Sequence, residues 1–140
     1  MKFSIIKLRW ITIGLNFKSE EQQTKIISLI RSVWNYYPGD FQIIFSGNGQ
    51  IDYIMNVKDI QNKFVDLEEF IVYIDSLIEL KEGCLPAGER SKQLYEEMKR
   101  LTPLKKFIFK QEIANIEEKM KIDRNFIENL KFLKHELEMI

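Results

Sequence analysis

Cys84 and His135 are the single cysteine and the single histidine of the chain, so any thiol–imidazole nucleophile would have to use both. A thiolate needs a base within hydrogen-bond reach. Cys84 lies in Gly83-Cys84-Leu85-Pro86-Ala87-Gly88, which reads as a loop. His135 lies near the end of the last helical pattern, where its charge would also complement a helix C-terminus. Nothing in the spacing brings the two together, and no catalytic residue is assigned. Metal chemistry finds little support. His135 has Lys131 and Met139 at its i±4 positions, so zinc would have to be completed by carboxylates. No Asp-rich calcium loop and no Gly-rich phosphate loop with a Lys-Ser/Thr end occurs. Gly47-Asn48-Gly49 is a lone G-x-G between two apolar runs, and it reads as a hairpin turn. No metal and no cofactor is expected.

Two patterns have the chemistry of recognition instead. Lys105, Lys106, Phe107, Phe109 and Lys110 interleave cations with aromatic rings, as do Lys7, Arg9 and Trp10. On one sheet face, such residues could stack bases and neutralise phosphates. The other pattern is acidic. Residues 1–64 carry net +3, residues 65–98 net −6 and residues 99–140 net +3, so a neutral total hides an acidic middle. On a helix starting at Asp66, Glu68, Asp75, Glu79 and Glu82 fall within a sector of about 60°, with Val72 beside them. Like charges three and four residues apart on a helix repel slightly. This stripe therefore reads either as a solvated face paired with basic segments or as a docking surface for a basic partner. Trp34 and Tyr36, at the end of another helical run, have the chemistry of interface anchors or of a core closure.

The elements that must position these groups follow from periodicity. Residues 3–17 alternate and read as one central strand. Ser19 and Gln22 form a capping pair ahead of Ile26, Ile27, Ile30, Val33 and Trp34 at helical spacing. Pro38-Gly39-Asp40 ends that helix. Phe41–Ser46 and Gln50–Met55 read as a hairpin. Asp66 caps a helix to about Lys81, closed by Gly83, and a short helix follows from Ser91 to Leu101. Residues 105–110 fit a strand or the first turns of a helix. Asp123 reads as the cap of a last helix with Phe126, Ile127, Leu130, Leu133 and Leu137 inward. Ile127, Leu130 and Leu137 would also form a self-association seam, but Lys134 interrupts the heptad, so core packing is the simpler account.

The chain has 140 residues, 45% apolar and 30% charged, which excludes a disordered tail and a disulfide scaffold. The expected fold is α+β: a small antiparallel sheet in β-α-β-β-α order, with a possible fourth strand at 105–110 and a helical C-terminal segment. One domain over residues 1–140 is expected. Lys7 and Arg9 break the N-terminal apolar run, and no stretch approaches the roughly 18 apolar residues of a membrane span. A cytoplasmic protein with no membrane contact is therefore expected. Lys outnumbers Arg 16 to 5 and Ile outnumbers Val 21 to 4, a usage suggesting AT-rich coding DNA of a bacterium or phage. The reading that joins these features is a non-catalytic protein-binding domain. Specifically, it is an inhibitor or immunity-type protein that neutralises a basic toxin or nuclease through Glu68, Val72, Asp75, Glu79 and Glu82, with Trp34 and Tyr36 as further contacts. The alternative is a sheet-based nucleic-acid-binding or regulatory module.

Overall fold

The computed structural model describes residues 2–35, 38–47 and 63–140. In chain order its elements are β1 (Lys2–Leu8), β2 (Ile11–Phe17), α1 (Glu20–Val33), β3 (Phe41–Gly47), β4 (Lys63–Val65), α2 (Leu67–Leu101), a 3-10 turn (Pro103–Lys105) and α3 (Lys106–Glu138). The fold is α+β with a mixed four-stranded sheet in the order β3-β1-β2-β4. β1 is antiparallel to both β2 and β3, and β4 runs parallel to β2. The chain divides into two compact units, one of Met1–Asp75 with Asn129–Ile140 and one of Ser76–Glu128.

The first unit is built on the β1–β2 hairpin. The single strand expected over residues 3–17 is in fact two strands, joined at Arg9-Trp10. The turn contains no Gly, Asn or Pro and no positive-φ residue, so it lacks the usual turn chemistry. Odd residues of β1 pair with even residues of β2, so the facing phase inverts at the turn; both strands are buried on both faces, which hides the inversion in the sequence. Arg9 covers the turn with its guanidinium 5.1 Å from the Trp10 ring centre, and Trp10 is 68% exposed.

Beyond β2 the capping pair forms as expected. Ser19 Oγ accepts the Gln22 backbone N–H at 3.1 Å, while Gln22 Oε1 accepts the Lys18 N–H at 2.8 Å. The reciprocal bond thus reaches one residue before the cap. α1 then buries Ile26, Ile27, Ile30 and Val33. It crosses back so that β3 pairs with β1, leaving β2 and β3 parallel with β1 between them. This is a split β-α-β arrangement.

The α1 interface contains a polar cluster in which Gln23 and Ser4 are buried and Ser46 is exposed. Gln23 Nε2 donates to Ser4 Oγ at 2.8 Å and to Ser46 Oγ at 2.9 Å, and the two hydroxyls lie 3.2 Å apart. The register shifts between Ile5 and Ile6, which pair with Phe45 and Ile43, so Ile44 is the extra residue of a bulge. On the opposite side of the sheet Phe3 and Ile5 pack with Phe45. Gly14 lies beneath rings there: a Cβ at this position would sit 2.7 Å from Phe64 Cζ and 3.3 Å from Phe3 Cζ.

The second unit comprises α2 from Ser76 to its end, the 3-10 turn and α3 as far as Glu128. Lys81, Glu89 and Lys92 of α2 pair with Asp123, Arg124 and Glu117 of α3, at 3.6, 3.7 and 3.2 Å. Tyr95 meets Phe109 with ring centres 6.1 Å apart. From Lys81–Asp123 to Lys92–Glu117 to Tyr95–Phe109 the numbers ascend on one helix and descend on the other, so the two helices are antiparallel.

Here the structure corrects the expected loop at 83–88. α2 runs unbroken through Gly83, Pro86 and Gly88. Two glycines and a proline cost a helix interior about 5 kcal/mol in intrinsic propensity. Packing against α3 offsets that cost, and Gly88 is where the helices come close: a Cβ there would lie 2.9 Å from Met120 Sδ. Residues 105–110 are helical, so the possible fourth strand is not formed. Asp123 is not a cap either; it sits buried inside α3, where Lys81 neutralises it. The expected turn residues Asn48 and Gly49 and the expected strand Gln50–Met55 lie outside the described residues.

Two stability outcomes follow from the first unit. Gln23→Ala leaves the buried Ser4 hydroxyl with only the exposed Ser46 hydroxyl as a partner and should destabilise the protein by about 1 kcal/mol or more in denaturant titration. Gly14→Val forces Phe64 and Phe3 off the sheet and should cost about 1–3 kcal/mol by the same measurement. An unchanged midpoint for either variant would contradict the packing described.

Candidate functional site

The acidic face of α2 begins at its cap. Asp66 Oδ1 accepts the Glu69 backbone N–H at 2.9 Å, as the sequence leads one to expect. Glu68 and Glu69 follow in the first turn, where the helix dipole favours anions. That gives both a local structural role. Glu68 projects into solvent and has no ion pair within 4.0 Å among the described residues. Val72, one turn on, is 63% exposed.

Asp75 has a different environment. Its carboxylate lies 2.7 Å from Lys134 Nζ of α3, and Lys134 also reaches Glu138 at 3.7 Å. The hydrogen bond to Asp75 holds the Lys134 ammonium above the ordinary lysine range. Desolvation works against this shift, and the charges of Asp75 and Glu138 add to it. Lys134, which breaks the heptad of the last helix, thus neutralises the acidic face near its middle. In the second unit, Glu79 and Glu82 are exposed further along α2, and Glu79 has no ion pair within 4.0 Å among the described residues.

The two aromatic candidates have different fates. Trp34 is buried at the end of α1, its ring centre 5.8 Å from that of Phe70, so most of it closes the core. Tyr36 lies outside the described residues. Trp34 also lines an open cleft of about 590 Å³ between the end of α1 and β3, with Arg31, Asn35, Phe41 and Gln42. Arg31 lies over the Phe41 ring at 5.0 Å. Arg31 carries no distinguishing signal in the sequence, since a basic residue in the last turn of a helix is ordinary there.

Cys84 and His135 are each exposed. No three His, Cys, Asp or Glu side chains are grouped to hold a metal ion among the described residues. Lys105–Lys110 belongs to a helical segment, and Arg9 and Trp10 form a hairpin turn. The single sheet face on which those residues would stack bases together is therefore not built by them. No described helix is long and apolar enough to cross a membrane. The chain matches no family model, no curated protein and no solved structure.

The raised Lys134 value sets a pH dependence. A cation bound more tightly to its proton in the folded state contributes stability that is complete below the unfolded lysine value. That contribution disappears as pH rises through the higher folded value. Lys134→Gln should therefore melt below wild type at neutral pH, and the gap should close in the alkaline range. A gap independent of pH would show that the Asp75–Lys134 pair is not its source.

Proposed function

We propose that the chain is a non-catalytic protein-binding domain that neutralises a basic partner, an inhibitor or immunity-type protein directed at a basic toxin or nuclease. The observation that carries this reading is the exposed carboxylate of Glu68, which has no ion pair within 4.0 Å among the described residues; Val72, one helical turn on, is exposed. An acidic surface around an exposed apolar contact speeds encounter with a basic protein and then offers it a desolvated centre. Glu68 and Val72 are the proposed primary contacts, and Glu79 and Glu82 extend the acidic character along the same helix. Asp75 has a lesser part because Lys134 already neutralises it. Trp34 supports the surface from behind through Phe70.

The test uses the chain as bait beside a Glu68→Lys/Glu79→Lys variant, both confirmed folded by circular dichroism. Wild type should retain a basic protein, release it at high salt and suppress its toxic or nuclease activity. The variant should associate with that protein about tenfold more slowly or worse. Equal retention and equal suppression by the two proteins would overturn this surface.

A further inference from the structure

The end of the second unit, where α2 turns into α3, exposes large apolar side chains side by side. Leu101, Leu104, Phe107 and Ile108 lie within eight consecutive residues, and all are exposed; Leu104 is 99% and Phe107 82% exposed. Phe109 alone turns inward, onto Tyr95. Around them stand Lys99, Arg100, Lys105, Lys106 and Lys110, and residues 99–110 contain no acid. Lys99 and Arg100 are paired along their own helix with Glu96 and Glu97. Lys105, Lys106 and Lys110 have no ion pair within 4.0 Å among the described residues.

Local energetics does not account for this composition. A helix N-terminus favours anions, yet the first turn of α3 has no acid and begins with Lys106, preceded by Lys105. A turn between antiparallel helices needs no exposed leucine or phenylalanine. Both departures have one common use, contact with a surface that is apolar inside and anionic outside. We infer that this helical turn is a docking element for the surface of an anionic lipid bilayer. Leu104, Phe107 and their apolar neighbours enter the interface while the lysines meet lipid phosphates. Apolar insertion combined with a basic cluster is what reversible membrane binding requires, and it needs no spanning helix. The alternatives fit less well. Leu101, Leu104 and Ile108 offer no faces for base stacking, and two copies meeting tip to tip would bring like charges together.

Sedimentation of the full chain with vesicles tests the inference. Vesicles of equimolar phosphatidylcholine and phosphatidylglycerol should carry the protein down, and phosphatidylcholine alone should not. Leu104→Ser/Phe107→Ser keeps every charge and should lower the partition about tenfold or more. Lys105→Gln/Lys106→Gln should lower it at low salt and leave little further salt dependence. All four positions are exposed, so circular dichroism should match wild type. No sedimentation of wild type, or equal sedimentation of wild type and Leu104→Ser/Phe107→Ser, would overturn the inference. So would sedimentation abolished by a single-stranded RNA competitor, or self-association that only wild type shows in the absence of vesicles; these would assign the surface to nucleic acid or to a second copy.

Discussion

The first unit depends on one polar contact between α1 and the sheet, the buried amide of Gln23 shared between the buried hydroxyl of Ser4 and the exposed hydroxyl of Ser46. Polar groups withdrawn from water must find partners, and here the partners come from three different elements. They meet only if α1 lies across β1 and β3 at one position and β3 takes one register against β1. A one-residue slip of β1 would swing Ser4 to the face where Phe3 and Ile5 now pack and leave the amide against hydrocarbon. The bulge at Ile44 belongs to the same constraint. It shifts the phase of β3 so that Ile43 and Phe41 stand opposite Ile6 and Leu8 while Ser46 stays opposite Ser4. Apolar packing alone would tolerate several registers of this Ile-rich strand; the triad selects one.

From that register the candidate surface follows. Fixing α1 fixes Trp34 at its C-terminal end, and Trp34 receives Phe70 from the second turn of α2. Phe70 and Ile74 turned inward leave Glu68 and Val72 outward, since one helix face excludes the other. Lys25 of α1 then meets Glu136 at 3.0 Å, and Lys134 meets Asp75 at 2.7 Å. These pairs lie partly in water, so they set orientation more than they stabilise. The second pair neutralises Asp75, while Glu68 of the same helix has no ion pair within 4.0 Å among the described residues.

The parts of the fold legible in the sequence are those where a local signal and the tertiary answer agree. Ser19 and Gln22 marked the start of α1, Asp66 marked the start of α2, and the α+β class followed from the mixture of periods. The failures have one physical cause, that local preference lost to packing. Arg9-Trp10 turns the chain with no turn residue, because the two strands it joins are held by their buried faces. Gly83, Pro86 and Gly88 resemble a loop, yet a close approach to α3 at Met120 keeps them helical. Of the proposed contacts, the exposure of Glu68 and Val72 could be read from the 100° periodicity. The neutralisation of Asp75 could not, because Lys134 is distant in sequence and its approach depends on where α3 lies.

A comparison of what local stability favours with what the chain contains separates its two charged surfaces. At the start of α2, Glu68 and Glu69 are where the helix dipole wants anions, so stability alone accounts for them, and Val72 is exposed beside them. At the start of α3 the signs are reversed. Lys105 and Lys106 oppose the dipole, and Leu104 and Phe107 bury nothing. A residue that both suits its helix and suits a partner is ambiguous evidence for the partner. A residue that works against its own helix is stronger evidence. By that measure the turn between α2 and α3 makes a stronger case for a contact outside the chain than the acidic face does, despite the net charge of −6 over residues 65–98.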